Sequence, residues 1–274
     1  MKPLLKWVGG KSQLLTSITE RMPIKFERYH EPFFGGGALF FHLENRNASI
    51  ADFNPRLIDF YQLLRDSPEE LFEVISAEKT KFDSLSPEAQ ATMYYRLRDE
   101  FNGDRESSVR KAALFLFLNK AGFNGLFREN RDGHYNVPFG QKKSLSIPEQ
   151  NHFIEIAQLL QYTEINFGSY ESVFDRASAG DFVYLDPPYV PLEGSPSFTS
   201  YLSSGFGPEQ QQQLAETFRA LSAKGCFVMT SNSYTETVRG LYSGFDVQIV
   251  NARRNINSIG SKRGHVEEAL ITSY

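Results

Sequence analysis

The sequence has few of the features that mark secreted, membrane-spanning or metal-binding proteins. Its single cysteine, Cys226, excludes an internal disulfide, and its five histidines are too scattered for a zinc site. It has no run of about 20 apolar residues, and its start lacks the pattern of a signal peptide. With 41% hydrophobic and 23% charged residues, the composition is that of an ordinary globular chain. We therefore expect a cytoplasmic protein without a structural metal or a membrane partner.

Charge is sorted into blocks along the chain, although the formal net charge is only -4. Lys and Arg exceed Asp and Glu by 4 in residues 1–28, by 5 in 105–143 and by 2 in 251–274. The blocks between them, 29–104 and 144–250, are acidic by 7 and 8. Clustered Lys and Arg neutralise phosphates whatever the overall charge. The pattern favours positive surfaces that bind a polyanion, and the alternative is an ordinary uneven surface.

Short apolar runs alternate with stretches of helical period, which predicts an α/β fold with a mostly parallel, doubly wound sheet. Residues 69–117 resemble several helices, and the turn-rich residues 119–145 follow. We interpret the chain as a catalytic sheet domain, 1–55 and 147–274, interrupted by a helical subdomain at 56–146. The predicted strands are 29–34, 48–53, 162–167, 181–185 and 226–230, with two more between 245 and 274 at an antiparallel edge, and the predicted helices include 55–65, 89–101, 109–118, 148–161 and 208–223.

A glycine turn, EPFFGGGA at residues 31–38, joins the first predicted strand to the next helix. Backbone without side chains lets a ligand approach closely, as in nucleotide-binding sheets. A dinucleotide fingerprint needs a small residue where the chain has Phe40, so NAD is disfavoured. Asp52 ends the next strand, where an open sheet binds ribose hydroxyls. A packing turn and a helix cap before Pro55 are the alternatives, but together the two features predict an adenosine-containing cofactor.

The segment GGKS at residues 9–12 imitates the end of a phosphate loop. Leu5 stands where such a loop needs glycine, so a P-loop NTPase is excluded. Lys11 and Trp7 nevertheless put a charge and an aromatic ring beside a glycine pair. These two side chains are suited to contact a carboxylate or a base.

An apolar stretch ends at Asp186, two prolines follow, and Tyr189 comes next. Proline has no N–H, so the carbonyl groups at this turn are held out as acceptors instead of pairing in the sheet. Acceptors beside an aromatic ring suit an exocyclic amino group whose base stacks on Tyr189. A turn stiffened by proline, with Asp186 as a cap, is the alternative.

Three segments, in this order and spacing, resemble the motifs of the α class of amino-group DNA methyltransferases. They are KWVGGK at 6–11, EPFFGGG at 31–37 and DPPY at 186–189. The resemblance covers nearly the whole chain and is greatest to Dam-type DNA adenine-N6 methyltransferases, which read GATC. It implies a Rossmann-like S-adenosylmethionine-dependent methyltransferase sheet. It also implies that residues 56–146 are the target-recognition subdomain with its hairpin.

The resemblance implies S-adenosylmethionine as the cofactor, S-adenosylhomocysteine as its product, and no metal. Trp7 and Lys11 resemble the family's cofactor-binding aromatic and lysine, and Asp52 is similar to the acid that holds the ribose. The implied cofactor residues are Trp7, Lys11, Phe33, Gly35, Gly37, Asp52, Ser169, Tyr170 and Asp186, and the implied catalytic residues are Asp186, Pro187, Pro188 and Tyr189.

The recognition hairpin of the GATC readers is matched by residues 119–128 and 136–140. Phe123 stands where those enzymes have a tyrosine that wedges into the duplex. Arg128 resembles the arginine that reads the outer guanine, whose O6 and N7 suit a guanidinium. The implied partner is double-stranded DNA. We expect the protein to act on it as a monomer, in the cytoplasm and associated with the nucleoid. The implied DNA contacts are Lys6, Lys120, Phe123, Asn124, Leu126, Arg128, Pro138, Lys142 and Arg254.

The resemblance also implies a mechanism, with the target adenine flipped out and stacked on Tyr189. The Asp186 carboxylate and the Pro187 carbonyl then accept the amino hydrogens and position the nitrogen. Methylation at cytosine C5 needs a nucleophilic cysteine, and core packing is the expected role of Cys226. Methylation at cytosine N4 shares the acceptor chemistry, and only the hairpin argues against it. The intact DPPY segment argues against a DNA-binding protein without activity.

Overall fold

The computed structural model describes residues 1–103, 106–191, 206–253 and 265–274. The chain divides into two compact units, each built from three segments. We name them by their dominant secondary structure. The helical unit comprises Met1–Gly10, Gly35–Arg46 and Asn54–Phe167, and the sheet unit comprises Lys11–Phe34, Asn47–Phe53 and Gly168–Tyr274.

Strands and helices alternate over much of the described chain. The strands are β1 (Tyr29–Glu31), β2 (Ala48–Asp52), β3 (Thr163–Phe167), β4 (Phe182–Leu185), β5 (Phe227–Ser233), β6 (Asp246–Arg253) and β7 (His265–Thr272). The helices are α1 (Leu15–Thr19), α2 (Ala38–Leu43), α3 (Pro55–Asp66), α4 (Pro68–Asp83), α5 (Pro87–Gly103), α6 (Val109–Ala121), α7 (Gln150–Leu160), α8 (Val173–Arg176), α9 (Pro208–Ala223) and α10 (Glu236–Leu241).

The strands of the sheet unit are hydrogen-bonded neighbours in the order β2-β1-β4-β5-β7-β6. The first four are parallel, and β7 runs antiparallel to both β5 and β6. Every residue of β4 is buried, which its apolar sequence FVYL permits on both faces. The predicted α/β class, the mostly parallel sheet and its antiparallel edge are confirmed.

The register of β4 and β5 determines which side chains meet beyond their ends. Phe182 is level with Phe227, and Leu185 is level with Thr230. One step further along, Asp186 is therefore level with Ser231. The carboxyl ends of parallel strands meet at one edge of a sheet, where ligands bind in open α/β folds. On the sheet's flank, α9 and α10 contribute Leu214, Phe218 and Val238 to the buried core.

The helical unit is organised around α6, whose residues from Ala112 to Asn119 are all buried. An apolar helix of this kind is stable only when other helices cover it, and α3, α4 and α5 pack against it. The Ser108 side chain caps its start by accepting from the Lys111 N–H at 3.2 Å. Asn54 caps α3 in the same way, so the alternative reading of Asp52 as that helix cap is wrong.

The predicted boundaries differ from the observed ones for local reasons. The first strand ends at Glu31 because Pro32 has no N–H for the ladder. The strand predicted at 226–230 continues to Ser233, through polar residues that are buried. The helix predicted from 148 begins at Gln150. None of the described helices is long and apolar enough to cross a bilayer.

We expect Gly122→Ala to destabilise the protein. Gly122 follows α6, and a Cβ there would lie 2.6 Å from the Leu118 carbonyl oxygen and 2.8 Å from the Tyr135 hydroxyl. Overpacking against backbone lowers the free energy of unfolding by about 1–3 kcal/mol. Gly103→Ala is the control, because a Cβ there meets no atom within 4 Å. Urea unfolding of both variants tests this, and equal stabilities would contradict it.

Candidate functional site

Asp186 stands at the carboxyl end of β4, where pairing in the sheet stops. Pro187 and Pro188 follow and have no N–H to donate to a neighbouring strand. The Asp186 side chain is 18% exposed. Its Oδ1 lies 2.7 Å from Lys11 Nζ and accepts a 2.9 Å hydrogen bond from the Ser231 hydroxyl. The site therefore centres on a paired carboxylate at the sheet edge.

The ring of Tyr189 is fixed at its face and at its tip. Lys11 Nζ lies 4.6 Å from the ring centroid, within the range of a cation–π contact. The Tyr189 hydroxyl donates to Glu268 Oε2 on β7 at 2.8 Å. The side chain is only partly buried. The structure thus places the ammonium of Lys11, a predicted cofactor residue, beside both Asp186 and Tyr189.

Burial controls the protonation of this cluster. It raises the pKa of the Asp186 carboxyl above its ordinary value, while the charge of Lys11 and hydrogen bonds from Lys11 and Ser231 oppose that shift. Burial, and then the charge of Asp186, raises the pKa of the Tyr184 and Tyr189 hydroxyls, which stay protonated. The cluster offers a carboxylate acceptor beside an aromatic face, a combination that suits an amino group on a planar ring.

Besides Lys11 and Asp186, four predicted cofactor residues lie in the sheet unit, as two neighbouring pairs. Phe33, two residues after β1, stacks on Tyr170 with ring centroids 4.9 Å apart and 20° between the planes. The Asp52 carbonyl at the end of β2 accepts from the Gly168 N–H at 3.1 Å, next to Ser169. A stacked aromatic pair and a carboxylate at a strand end suit a nucleoside with free ribose hydroxyls.

Three further predicted cofactor residues lie in the helical unit. The Trp7 ring stacks on Phe127 at 5.7 Å between centroids. Gly35 has φ +50°, and a Cβ there would lie 2.6 Å from Trp7 Cδ1. Gly37, with φ +67°, precedes α2. Glycine is therefore required at position 35 by the packing of the indole, independently of any ligand.

Isolated antiparallel bridges join the two segments in which a recognition hairpin is predicted. Gly122 pairs with Phe139, and Glu129 pairs with Tyr135. The Phe123 N–H donates to the Pro138 carbonyl at 2.9 Å, joining two predicted DNA contacts. The Phe123 side chain is 49% exposed, a large apolar ring at the surface. Pro138 is also exposed.

Asn119 fastens the segment around Lys6 to the hairpin. Its side chain accepts from the Lys6 N–H at 2.9 Å and donates to the carbonyls of Lys6 and Gly125 at 2.7 and 3.2 Å. The Lys6 side chain is exposed. Burial, and to a smaller extent the charge of Lys6, lower the pKa of Lys120 to about 8. Lys120 therefore begins to lose its charge just above neutral pH.

Arg128 is exposed and already oriented by the opposite segment of the hairpin. Its Nε donates to Asn136 Oδ1 at 2.6 Å, and a second guanidinium nitrogen donates to the Asn136 carbonyl at 3.3 Å. Of the other predicted DNA contacts, Asn124 is exposed, Leu126 and Lys142 are partly buried, and Arg254 lies outside the described residues.

Cys226 packs in the core, as predicted. Its thiol donates to the Ser178 carbonyl at 3.2 Å, and burial raises its pKa. A buried thiol with a raised pKa is a poor nucleophile. Among the described residues, no group of three or more His, Cys, Asp and Glu side chains is placed to hold a metal ion.

Sequence analysis missed the partners that orient the predicted residues. Ser231 and Glu268 hold Asp186 and Tyr189, and Asn136 holds Arg128. Only one weak feature of the sequence indicated a role for Ser231, which is that it continues an apolar strand at the sheet edge. No such feature indicated a role for Glu268, since its pairing with Tyr189 depends on the position of β7 beside β5.

Comparisons with known proteins agree with the motifs. Residues 7–256 match the sequence model of the family described as D12 class N6 adenine-specific DNA methyltransferase. "Type II methyltransferase M.MjaIII" of Methanocaldococcus jannaschii is 39% identical, over 100% of this chain and 99% of that protein. "Type II methyltransferase M1.LlaDCHI" of Lactococcus lactis is 38% identical, over 100% and 96%. "DNA adenine methylase" of Escherichia coli K12 is 38% identical, over 98% and 94%.

We expect Gly35→Ala to move the indole of Trp7. The new Cβ would overlap the ring and would sit in left-handed backbone, which disfavours any side chain. Trp7 is the sole tryptophan, so intrinsic fluorescence reports its position. The emission maximum and iodide quenching should both change relative to Gly103→Ala. Unchanged spectra in Gly35→Ala would mean that the turn accommodates the methyl group.

Proposed function

The chain belongs to the D12 class of N6 adenine-specific DNA methyltransferases, and from this membership we propose that it methylates the adenine of GATC in duplex DNA. The family makes the chain an enzyme that uses S-adenosylmethionine and acts on DNA. The observation that carries the catalytic part is the Asp186 carboxylate beside the Tyr189 ring at the carboxyl end of β4. The GATC part rests on the likeness of the hairpin to those of GATC readers.

The residues of the sheet unit fit the cofactor. The stacked rings of Phe33 and Tyr170 suit the adenine moiety, and the Asp52 carboxylate suits the ribose hydroxyls. S-adenosylmethionine, when bound, supplies a methyl group on a positively charged sulfur. Ser169 lies near Asp52, because the preceding Gly168 donates its N–H to the Asp52 carbonyl, and Ser169 would line the same cofactor site. Trp7, Gly35 and Gly37 remain cofactor residues by resemblance.

Asp186, Pro187 and Tyr189 would prepare the amino group for attack. Its lone pair is delocalised into the adenine ring, which makes the nitrogen a weak nucleophile. Acceptance of its hydrogens by the Asp186 carboxylate and the Pro187 carbonyl draws the lone pair out of conjugation. Stacking on Tyr189 fixes the ring plane, and this requires the base to leave the duplex. Positioning and fixed electrostatics then supply the catalysis.

The hairpin would read the sequence of the site. Arg128 is exposed, is held by Asn136 and presents a guanidinium suited to the O6 and N7 of a guanine. Phe123 offers an exposed ring that can wedge between bases. Leu126 and Pro138 offer apolar contacts to inner bases, one of which carries the thymine methyl group. Lys6 and Lys120 lie beside them and suit phosphates.

The decisive experiment is transfer of labelled methyl groups to matched duplexes that contain GATC or one of its single-base variants. Digestion and mass analysis of the nucleosides identify the product. N6-methyladenine formed only with GATC supports the whole proposal. N6-methyladenine formed at another sequence keeps the catalytic roles and overturns the reading of the hairpin. N4-methylcytosine, or no product, overturns the proposed reaction.

Asp186→Ala should abolish methyl transfer while cofactor binding stays nearly normal. The substitution removes the carboxylate acceptor and leaves Phe33, Tyr170 and Asp52 in place. Asp175→Ala is the matched control, since Asp175 is exposed on α8. Single-turnover methylation and calorimetric titration with S-adenosylmethionine give the two readouts. Retained transfer in Asp186→Ala would contradict the mechanism.

Arg128→Ala should relax selection at the outer guanine. Loss of a bidentate contact to guanine reduces discrimination by about 1–3 kcal/mol. The control is Arg131→Ala, which removes an exposed charge from the same basic block. We expect that variant to weaken binding equally on all sequences and to reduce its salt dependence. The measurement is kcat/KM on GATC and on duplexes changed at its first base. Equal discrimination in both variants would refute the role of Arg128.

A further inference from the structure

Two neighbouring residues of β5, Ser231 and Asn232, contact the two ends of the segment 186–190. Both are fully buried, although both are polar. Successive side chains of a strand point to opposite faces, so the two residues reach this segment from different sides of the sheet. A buried polar side chain is costly unless its hydrogen bonds are made. The contacts of each residue account for its burial.

Ser231 holds the first residue of the segment, Asp186, by a hydrogen bond to its carboxylate. Its hydroxyl donates to Asp186 Oδ1 at 2.9 Å and lies 3.0 Å from the Tyr184 hydroxyl. Lys11 Nζ lies 2.7 Å from the same Oδ1. No described residue donates to the second oxygen, Oδ2. One carboxylate oxygen is therefore saturated by the protein, and the other is left to a ligand.

Asn232 holds the other end of the segment 186–190, both directly and through Gln211 on α9. Its Oδ1 accepts from the Val190 N–H at 2.9 Å, and its Nδ2 donates to Gln211 Oε1 at 3.1 Å. Gln211, which is 3% exposed, donates in turn to the Pro188 carbonyl at 2.7 Å. Within the described chain no donor reaches the Pro187 carbonyl. At this end too, one acceptor, the Pro188 carbonyl, is occupied, and another, the Pro187 carbonyl, is open.

We propose that Ser231 and Asn232 are positioning residues that leave Asp186 Oδ2 and the Pro187 carbonyl as the two acceptors for the two hydrogens of the target amino group. This inference rests on the proposed function and goes beyond it, because it assigns one oxygen of the Asp186 carboxylate and the residues that position both acceptors. A carboxylate held at one oxygen cannot rotate freely, so the geometry of attack is set before the base arrives.

The charges around Asp186 determine how its pKa changes when the Ser231 hydroxyl is removed. The groups that face it are Lys11 on the turn before α1, Tyr184 on β4, and Tyr189 with its partner Glu268 on β7. On β1, Tyr29 and Glu31 add a hydroxyl and a carboxylate. The hydrogen bond from Ser231 favours ionised Asp186, so its removal should raise the pKa of that carboxyl.

The test compares Ser231→Ala with Ser233→Ala. Ser233 is buried on the same strand and the same face, and it receives the same substitution. In Ser231→Ala we expect the single-turnover rate near neutral pH to fall by about 10- to 100-fold, the size of a hydrogen bond to a charged group. The acid limb of the rate profile should move to higher pH, with KM for both substrates unchanged. Ser231→Thr, which keeps the hydroxyl, should restore most of the rate.

The contacts at the Pro188 end of the segment are tested by Gln211→Leu. Leucine has a similar volume to glutamine but cannot donate to the Pro188 carbonyl. We expect a loss of rate with no movement of the acid limb, because Gln211 does not contact Asp186. A wild-type rate and pH profile in folded Ser231→Ala would overturn the assignment. So would losses that are equal in Ser231→Ala and Ser233→Ala, since these would indicate a role in stability alone.

A readout without DNA separates this inference from the proposed function. Carboxyl carbon-13 NMR titration of Asp186 follows its pKa in the protein alone. A higher pKa in Ser231→Ala, with no change in Ser233→Ala, supports the positioning role whichever base is methylated. An unchanged pKa overturns it. Failure of the wild-type protein to methylate adenine, with the pKa shift intact, overturns only the proposed reaction.

Discussion

The pairing of Lys11 with Asp186 is the interaction on which the site depends. Burying a lone carboxylate costs several kcal/mol, and an ammonium at hydrogen-bond distance offsets much of that cost. Lys11 is 8% exposed and Asp186 is 18% exposed, so the pair lies mostly out of water. The strand that ends at Asp186 is apolar on both faces, and the ion pair allows a charge to stand at its tip. Lys11 also lies over the ring of Tyr189, so one cation orients both predicted catalytic side chains.

The two prolines impose the second constraint. A residue without an N–H cannot continue a ladder, so β4 stops where Pro187 and Pro188 begin, while β5 continues for three polar residues beyond Thr230. Because β5 is longer, the side chains of Ser231 and Asn232 lie beyond the end of β4 and can hydrogen-bond the segment that follows it. The Gln211 side chain serves the Pro188 carbonyl in place of a strand partner. Side-chain hydrogen bonds therefore hold residues 186–190 in place, although this segment is not part of the sheet.

The sequence predicted the elements that depend on local pattern and missed the contacts that depend on register. The buried runs of β4 and β5 and the start of α3 at Pro55 follow from nearby residues. That Asp186 meets Ser231, 45 positions away, depends on the alignment of two strands, and periodicity does not fix that alignment. The same holds for Tyr189 and Glu268. Gly35 illustrates the limit, because a close approach was predicted there and the approaching group is the indole of Trp7.

The predicted recognition hairpin shows the same kind of arrangement as β5, because a neighbouring side chain holds a predicted functional group in place. Arg128 is exposed, yet its guanidinium is held by the Asn136 side chain and carbonyl, so under the proposed function less side-chain entropy would be lost on contact with a guanine. Asn119 similarly joins Lys6 to the backbone of the hairpin. An approaching phosphate would raise the pKa of Lys120 from about 8, because its negative charge favours the charged ammonium. In both places a neighbouring amide or hydroxyl holds the predicted functional group: the Ser231 hydroxyl, which is buried, holds Asp186, and the Asn136 side chain, at the surface of the hairpin, holds Arg128.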